Sequence, residues 1–465
     1  MAEDMHALFI LLFFVTTFAV LLTGFPVAFG LAGVSIFFAL IGTQFDLFVW
    51  GMTSSILGRF VSLMTDETLV AVPLFVFMGV VLERSRIAED LLLTMGQAFG
   101  SMRGGLGISV IIVGALLAAS TGIVGATVVT MGLISLPAMM RAKYDPSLAG
   151  GIICASGTMA QLIPPSTVLI LLGIMLQNAN TQANLELGRF DGAQVTITDL
   201  FSAALLPGLM LVGFYIVWLL IRAAMNPKAC PPLLMTEDER RSLGRRMVRA
   251  VIPPLVLIIL VLGSILTGIA TATESAAVGA MGACLLGALK GRFSRALLFD
   301  ISKSTLMISN MIFAILLGAT IFSLVFRGLG GDDVVRDFVA DLPGGALGAT
   351  VFVLFLMFLL GFMIDTFEII FIVVPIFAPI LIIMGVDPIW LGVAMAIVLQ
   401  TSYLTPPFGF AIFYLQGRGA GVERPDHLPR RHPLCRHTAF GHCRDLDVPV
   451  DRDLAAETSL LIIHA

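Results

Sequence analysis

Two stretches, GTMAQLIPPSTVLILLG at residues 157–173 and QTSYLTPPFGFAIFYL at residues 400–415, each place a Pro-Pro pair inside an apolar run. In a water-soluble helix such a pair acts as a stop signal, because proline lacks an N–H and its ring clashes with the preceding turn. Inside a membrane-spanning segment it breaks the helix at depth, and the freed backbone groups must then be buried in protein or line a cavity. The sequence therefore predicts two broken helices.

The surroundings of the two pairs are also repeated. Three proline features recur 242 residues further along: Pro137, Asp145-Pro146 and Pro164-Pro165 correspond to Pro379, Asp387-Pro388 and Pro406-Pro407. Matching broken segments in the two halves of a membrane chain are the best pointer in a sequence to a transporter's substrate and ion site.

The composition limits the protein to a membrane environment. Of its 465 residues, 58% are hydrophobic and only 12% are charged, whereas soluble domains carry about 25% charged residues. The net charge of −4 argues against a nucleic-acid partner. The chain has no GxxxxGK[ST] loop, which argues against an ATP-driven pump. It also lacks metal-type Cys/His spacing and a nucleophile–base set, so we predict no enzyme activity, no cofactor and no transition metal.

About 20 apolar residues cross a bilayer as a helix, and nine apolar segments are candidate spans. They are residues 6–23, 25–45, 68–82, 147–176, 200–221, 250–270, 272–290, 306–327 and 388–416. Two further stretches, 105–140 and 347–383, are too long for one helix and carry polar or small residues at their middle. We predict that each is a re-entrant hairpin whose tip stops at mid-membrane.

Basic residues predict the orientation. The linker 222–249 holds seven Lys and Arg residues, which places it in the cytoplasm. The turn with Arg141 and Lys143 then also falls inside, whereas its counterpart at 383–388 has no basic residue and falls outside. We therefore predict an all-α polytopic membrane protein with two inverted-topology repeats, related by a two-fold axis in the membrane plane. The predicted units are residues 1–221, the linker 222–249, residues 250–416 and a tail at 417–465.

The first candidate site combines the first hairpin tip with the break behind it. Hydroxyls and unwound carbonyls suit a dehydrated Na⁺, and helix N-termini suit a carboxylate. The alternative interpretation is that each Ser or Thr only makes hydrogen bonds between helices. The residues are Ser120, Thr121, Gly122, Ser156, Gly157, Thr158, Pro164, Pro165 and Ser166.

The second candidate site is the counterpart of the first in the other half. An acidic residue within an apolar span is costly and indicates a functional site by default. Asp365 could balance a Na⁺ or hold the hairpin tip, and Glu368 could do the same or bond a neighbouring backbone group. The alternative is that these carboxyl groups are structural, protonated or hydrogen-bonded. The residues are Asp365, Thr366, Glu368, Thr401, Ser402, Pro406 and Pro407.

Three other charged residues favour structural roles. Glu274, in TATESAAVGA, is placed to cap a helix N-terminus together with Thr273. Arg84 and Arg86 lie in LERSRIAEDLL, whose amphipathic spacing predicts a helix along the membrane interface. We expect these arginines to serve the scaffold rather than contact substrate.

Several motifs resemble one known family in order and spacing. They are VPLFVFMGVVLERS, GTMAQLIPPS, TATESAAVGA, GFMIDTFEIIFIVVPIFAP and LQTSYLTPPFGFAIFYL. Over roughly residues 5–416 the chain resembles the large membrane subunit of tripartite ATP-independent periplasmic (TRAP) transporters.

The resemblance implies a Na⁺-coupled, elevator-type importer of small organic acids in the bacterial inner membrane. It implies two partners, a small four-helix membrane subunit and a periplasmic substrate-binding protein, with Na⁺ as the coupling ion. It also implies that the hairpin tips and broken helices form the Na⁺ and substrate sites. The sequences of the second-half motifs are similar to those of the family branch linked to 2-oxo acids and related monocarboxylates. Two rivals stay open: a stand-alone Na⁺/dicarboxylate or anion carrier, and a non-transporting scaffold or channel.

The chain changes character after Gly417. Five of the six His residues lie beyond it, together with many Arg and Pro residues. Codons chosen for DHLPRRHPLC at 426–435, read one base later, spell TIYRGVIPF, the kind of turn and apolar start that the family has there. We hypothesise a frameshift that removes a final helix, after which the polypeptide assembles poorly or does not transport. A native His-rich tail or a metal-binding segment is the alternative, and the coding DNA decides between them.

Overall fold

The computed structural model describes residues 2–121, 124–190, 192, 194–233, 237–405 and 409–416, and within these ranges it contains helices but no strands. The α-helices are α1 Ala2–Leu22, α2 Val27–Gln44, α3 Ser55–Met64, α4 Ala71–Arg84, α5 Ile87–Phe99, α6 Gly105–Thr121, α7 Val124–Arg141, α8 Pro146–Thr158, α9 Thr167–Glu186, α10 Ile197–Met225, α11 Glu237–Ala250, α12 Ile252–Leu266, α13 Ala272–Leu289, α14 Arg295–Gly328, α15 Gly331–Ala340, α16 Gly345–Leu360, α17 Thr366–Ile383, α18 Pro388–Leu404 and α19 Phe410–Gln416.

These helices confirm an all-α polytopic membrane protein. Among the described residues, seven helices are long and apolar enough to cross a membrane, or up to nine if two bent pairs each count as one span. Every predicted span overlaps at least one of the helices. The sequence missed α3 and the 3₁₀ turn Trp50–Ser54 before it. The inverted orientation of the repeats stays a prediction, since it depends on where the membrane lies.

Both predicted helix breaks are present. In the first half, α8 ends at Thr158, a 3₁₀ turn follows at Met159–Gln161, and α9 begins only at Thr167. In the second half, α18 ends at Leu404 and α19 begins at Phe410. Pro406 and Pro407 lie outside the described residues. Prolines in the first loop explain the break there, because neither can donate a backbone hydrogen bond to a continuing helix.

Each long apolar stretch forms two packed helices, and the prediction that each hairpin tip stops at mid-membrane stays a prediction. Helices α6 and α7 make the first hairpin, and its tip at 122–123 lies outside the described residues. Helices α16 and α17 make the second hairpin, joined by residues 361–365.

The spacing of 242 residues also relates whole elements and their caps. Shifted by this number, α5 overlaps α15, α6 overlaps α16, α7 overlaps α17 and α8 overlaps α18. Asp145 caps α8 by accepting from the Ser147 N–H at 2.9 Å, and the hydrogen bonds from Ser147 lower the pKa of this carboxyl. Asp387 caps α18 in the same way, accepting from the Trp390 N–H at 2.8 Å. In both cases proline follows the cap, where its missing N–H costs nothing.

The halves interlock rather than stand side by side. The second hairpin's α17 packs against α9 of the first half, and α19 packs against α7 and α8. A second group of contacts joins α2 to α14 and α4 to α13. We call α1–α4 and α12–α14 the frame, and α6–α9 with α16–α19 the hairpin unit.

The stretch LERSRIAEDLL is not one amphipathic helix, which corrects the sequence prediction. Helix α4 ends at Arg84, and Arg86 takes a left-handed conformation with φ of 55° before α5 starts. One face of α5, including Ile87, Leu91 and Leu92, is buried. The helix packs against α6 and α11 because that face is apolar along its length.

Candidate functional site

A cavity of about 1000 Å³ lies between the frame and the hairpin unit. The frame contributes the end of α4 and Met311 and Ile315 of α14, and the start of α5 lies beside them. The hairpin unit contributes α7, the first turn of α17, Gln161 from the first break, and Tyr403 and Tyr414 from the second broken helix. The volume is within the range of small-molecule sites.

The tip of the second hairpin is held by a network of hydrogen bonds on one wall of this cavity. The Tyr403 hydroxyl donates to the Asp365 carboxylate and accepts from the Thr366 N–H at 2.8 Å. The Asp365 N–H donates to Glu368 Oε2 at 3.3 Å, in a capping-box arrangement at the start of α17. The two acidic residues therefore stabilise the tip, whatever else they bind.

Gln161 joins the same network from the other half of the chain. Its Nε2 donates to Thr366 Oγ1 at 2.8 Å, and the side chain is fully buried. Gln161 and Tyr403 are themselves 242 residues apart, each three positions before its Pro-Pro pair. The residues at this repeat position in the two halves therefore both form a hydrogen bond with Thr366.

The frame side of the cavity carries two arginines. Arg84 pairs with Asp300 of α14 at 3.0 Å. Among the described residues, the acidic partner of Arg86 is Glu89 at 4.0 Å, and the Arg86 side chain is 73% exposed. Arg292 donates to the Arg86 carbonyl at 3.2 Å, which ties this left-handed turn to the frame. Left-handed backbone in a residue with a Cβ costs free energy and is concentrated at functional sites.

The cavity lining has more acidic than basic groups. Four carboxyl groups face two guanidinium groups: Glu83, Glu89, Asp365 and Glu368 against Arg84 and Arg86. Carboxylate oxygens are suitable ligands for a hard cation, and a planar guanidinium suits a carboxylate. The lining can therefore hold an anion and a cation together more readily than an anion alone.

The structure places the predicted site residues in different environments. Asp365, Thr366 and Glu368 line the cavity. The other described hydroxyl groups are buried and donate to carbonyls nearby in the chain: Ser156 to Ile152 at 2.5 Å, Thr158 to Ala155 at 3.0 Å, Ser166 to Gln161 at 3.1 Å, Thr401 to Ile397 at 2.8 Å and Ser402 to Leu399 at 2.8 Å. These bonds are local in the chain and not the interhelical bonds of the alternative interpretation, and each oxygen keeps lone pairs for a ligand.

Ser166 has a second role as the cap of α9, since it accepts from the Val168 N–H at 3.2 Å. Gly157 packs against α7 so closely that a Cβ there would lie 2.3 Å from Val128 Cγ2. Pro164 and Pro165 form the loop before this cap. Ser120 and Thr121 end α6, and Gly122 lies outside the described residues, as do Pro406 and Pro407.

The sequence analysis missed several lining residues. It assigned Arg84 and Arg86 to the scaffold, and it did not single out Glu83, Glu89, Gln161, Tyr403 or Tyr414. One signal was available: Gln161 and Tyr403 share a position relative to the repeated prolines. The contribution of α4 and α5 had no such signal, because nothing local in LERSRIAEDLL shows that its turn faces the hairpins.

The predicted cap at Glu274 is present. Thr271 is the N-cap residue, and its N–H donates to Glu274 Oε2 at 2.8 Å in a capping box. Thr273 instead donates to the Glu67 carbonyl at 3.0 Å, so the partner of Glu274 differs from the one that the sequence suggested.

Curated relatives are similar over most of the chain. The ectoine/5-hydroxyectoine TRAP transporter large permease protein UehC of Ruegeria pomeroyi is 28% identical, over 86% of this chain and 88% of that protein. The C4-dicarboxylate TRAP transporter large permease protein DctM of Rhodobacter capsulatus is 27% identical, over 88% and 90%. The sialic acid TRAP transporter large permease protein SiaM of Vibrio cholerae is 25% identical, over 86% and 87%.

Solved structures show a similar fold. The YdaH transporter of Alcanivorax borkumensis superposes with a TM-score of 0.59 at 13% identity, covering 89% of this chain and 85% of that chain. MtrF of Neisseria gonorrhoeae gives a TM-score of 0.58 at 11% identity, covering 89% and 82%.

A family profile also matches most of the chain. The profile described as the tripartite ATP-independent periplasmic transporter, DctM component, matches residues 14–423. Together with the apolar helices, this match identifies a multi-pass inner-membrane permease rather than an enzyme. The chain therefore belongs to the DctM component family, the large permease subunits of TRAP secondary transporters.

Proposed function

We propose that this permease imports small organic acids together with Na⁺, within the class of 2-oxo acids and other mono- or dicarboxylates. A periplasmic substrate-binding protein delivers the acid, and a small four-helix membrane subunit completes the complex. The observation that carries the proposal is the mixed charge of the cavity, in which two arginines and four carboxyl groups line one space.

The acid and the ion have different partners in this proposal. Arg86 receives the substrate carboxylate, because its guanidinium is exposed and its closest acidic partner, Glu89, is 4.0 Å away. Na⁺ binds near the second hairpin tip, where the carboxyl groups of Asp365 and Glu368 line the cavity beside Gln161 of the first break. Bound Na⁺ offsets the acidic excess, so that an anion enters at lower electrostatic cost.

Transport then follows from the position of the cavity. Because the cavity lies between the frame and the hairpin unit, sliding of one against the other would carry its contents across the membrane. We propose such an elevator-type movement, with the hairpin unit as the moving part. The cross-packing of α17 on α9 and of α19 on α7 favours its motion as one body.

Uptake into proteoliposomes tests this function. The full chain, with its C-terminal reading frame restored if the coding DNA carries the frameshift hypothesised above, is reconstituted with the small subunit. Labelled acid is added with the cognate binding protein. We expect accumulation above equilibrium with an inward Na⁺ gradient, and none when K⁺ replaces Na⁺ or when the binding protein is omitted. Equal uptake without the binding protein would indicate a stand-alone carrier. Equilibration without accumulation would indicate a channel. Either result contradicts the proposal.

A further inference from the structure

The amide of Gln161 is an unusual group for a buried cavity wall. The side chain is fully buried, yet its Oε1 has no hydrogen-bond partner among the described residues. A buried acceptor without a partner costs free energy, and most such groups in native proteins are satisfied. An unpaired acceptor on a cavity wall is therefore a candidate ligand contact.

The orientation of this amide is fixed by its neighbours. Gln161 Nε2 donates to Thr366 Oγ1 at 2.8 Å, so the oxygen is the free end of the amide. Thr366 is held in turn, because its N–H donates to the Tyr403 hydroxyl at 2.8 Å. The amide is thus positioned by a hydrogen bond to the other half of the chain, and its partner there is held by a second one.

The Thr366 hydroxyl accepts from Gln161, and the other groups on this wall offer acceptors rather than donors. The Tyr403 hydroxyl has one hydrogen, and it is donated to Asp365. Asp365 and Glu368 carry carboxyl groups on the same wall. A ligand that contacts this wall is bound best if it brings a hydrogen-bond donor.

We infer that Gln161 is a specificity-determining residue that accepts a hydrogen bond from a hydroxyl group of the substrate. The inference rests on the proposed function and narrows its substrate class to hydroxycarboxylic acids. A 2-oxo acid of the same size offers only acceptors at that carbon and leaves Gln161 Oε1 unpaired. A site built to bond a hydroxyl discriminates strongly against an analogue that lacks it.

L-lactate and pyruvate are suitable probes, because they differ only at the carbon next to the carboxylate. Uptake of each is measured with the same binding protein, so that its own preference cancels when permease variants are compared. Gln161→Met keeps the length of the side chain and removes the acceptor. We expect it to lower the ratio of lactate to pyruvate uptake about tenfold or more.

Two control variants distinguish substrate selection by Gln161 from a structural role of its amide at the hairpin tip. Gln161→Glu keeps an acceptor and is expected to retain most of the lactate preference. Thr366→Val removes the hydroxyl that holds the amide but leaves Gln161 in place. It is expected to slow uptake of both acids, with a smaller change in their ratio. A ratio unchanged in Gln161→Met, or an equal loss for both acids, would overturn the inference.

A binding measurement keeps the inference testable if a variant does not fold. Purified wild-type permease in detergent with Na⁺ is melted with lactate and with pyruvate. Lactate should raise the melting temperature at lower concentration than pyruvate, and equal effects would refute a role for the hydroxyl. If lactate is preferred here while wild-type proteoliposomes accumulate neither acid, the proposed function fails and the binding specificity stands.

Discussion

At the residue scale, the cavity depends on side chains that serve two purposes. Asp365 and Glu368 hold the start of α17, and both also face the cavity. Arg86 forms the turn between α4 and α5 and presents an exposed guanidinium to the same space. Substitution of such residues must therefore be followed with separate readouts for stability and for transport.

Asp365→Ala is expected to abolish Na⁺-dependent uptake while the protein still inserts into the membrane. The change removes a carboxylate from the proposed cation site and the acceptor of the Tyr403 hydroxyl. Tyr403→Phe is the matched control, because it breaks the same hydrogen bond and keeps the carboxylate. Uptake is measured at rising Na⁺ concentrations. We expect Tyr403→Phe to keep Na⁺-dependent uptake at a reduced rate, and unchanged uptake by Asp365→Ala would refute its role.

Arg86→Gly should change stability and transport in opposite directions. Glycine adopts the left-handed conformation without strain, so we expect a gain of about 1 kcal/mol in unfolding free energy. Loss of the guanidinium should raise the apparent KM for the acid about tenfold or more. Thermal melting and initial uptake rates measure the two effects. An unchanged KM would show that Arg86 does not contact substrate.

At the element scale, close approach between helices sets the position of the second hairpin. A Cβ at Gly361 would lie 2.7 Å from Ser402 Cβ, so α16 and α18 could not meet as they do. The backbone itself would accept alanine, because φ of Gly361 is −62°. What restricts this position is space, not backbone conformation.

Gly361→Ala is therefore expected to destabilise the protein by about 1–3 kcal/mol, the usual range for overpacking. Gly213→Ala is the control, because a Cβ at Gly213 in α10 would meet nothing within 4 Å. Thermal melting of both variants in the same detergent makes the comparison. If the two variants melt alike, the contact between the hairpin tip and α18 is not as tight as the geometry indicates.

The sequence predicted the elements better than it predicted the cavity. Pro164-Pro165 and the polar residues at 361–366 interrupt helices by local chemistry, so the breaks and hairpins could be recognised from composition alone. The cavity depends on which elements meet. Gln161 and Thr366 are 205 residues apart in the chain, and no local pattern shows that they bond. Likewise, Arg86 reaches the cavity through tertiary packing, and the sequence around it does not show this.

At the scale of the whole molecule, the 242-residue spacing bears on the tail. Counted from α10, the spacing leads to AFGHCRDLDVPVDRDL at 439–454, a segment too charged for a spanning helix. The family profile ends at residue 423. The frameshift hypothesis explains both facts. It predicts that the coding DNA carries an apolar segment in another frame, and an uninterrupted frame without one would end it.

The central claim is that the cavity between the frame and the hairpin unit binds the acid only together with Na⁺. Equilibrium binding of labelled acid to the purified permease in nanodiscs, titrated with Na⁺ at constant ionic strength with K⁺, tests it most directly. We expect acid affinity to rise with Na⁺ and to be lost in K⁺ alone, because four carboxyl groups share the lining with two arginines. Equal acid affinity in Na⁺ and K⁺ would contradict the account.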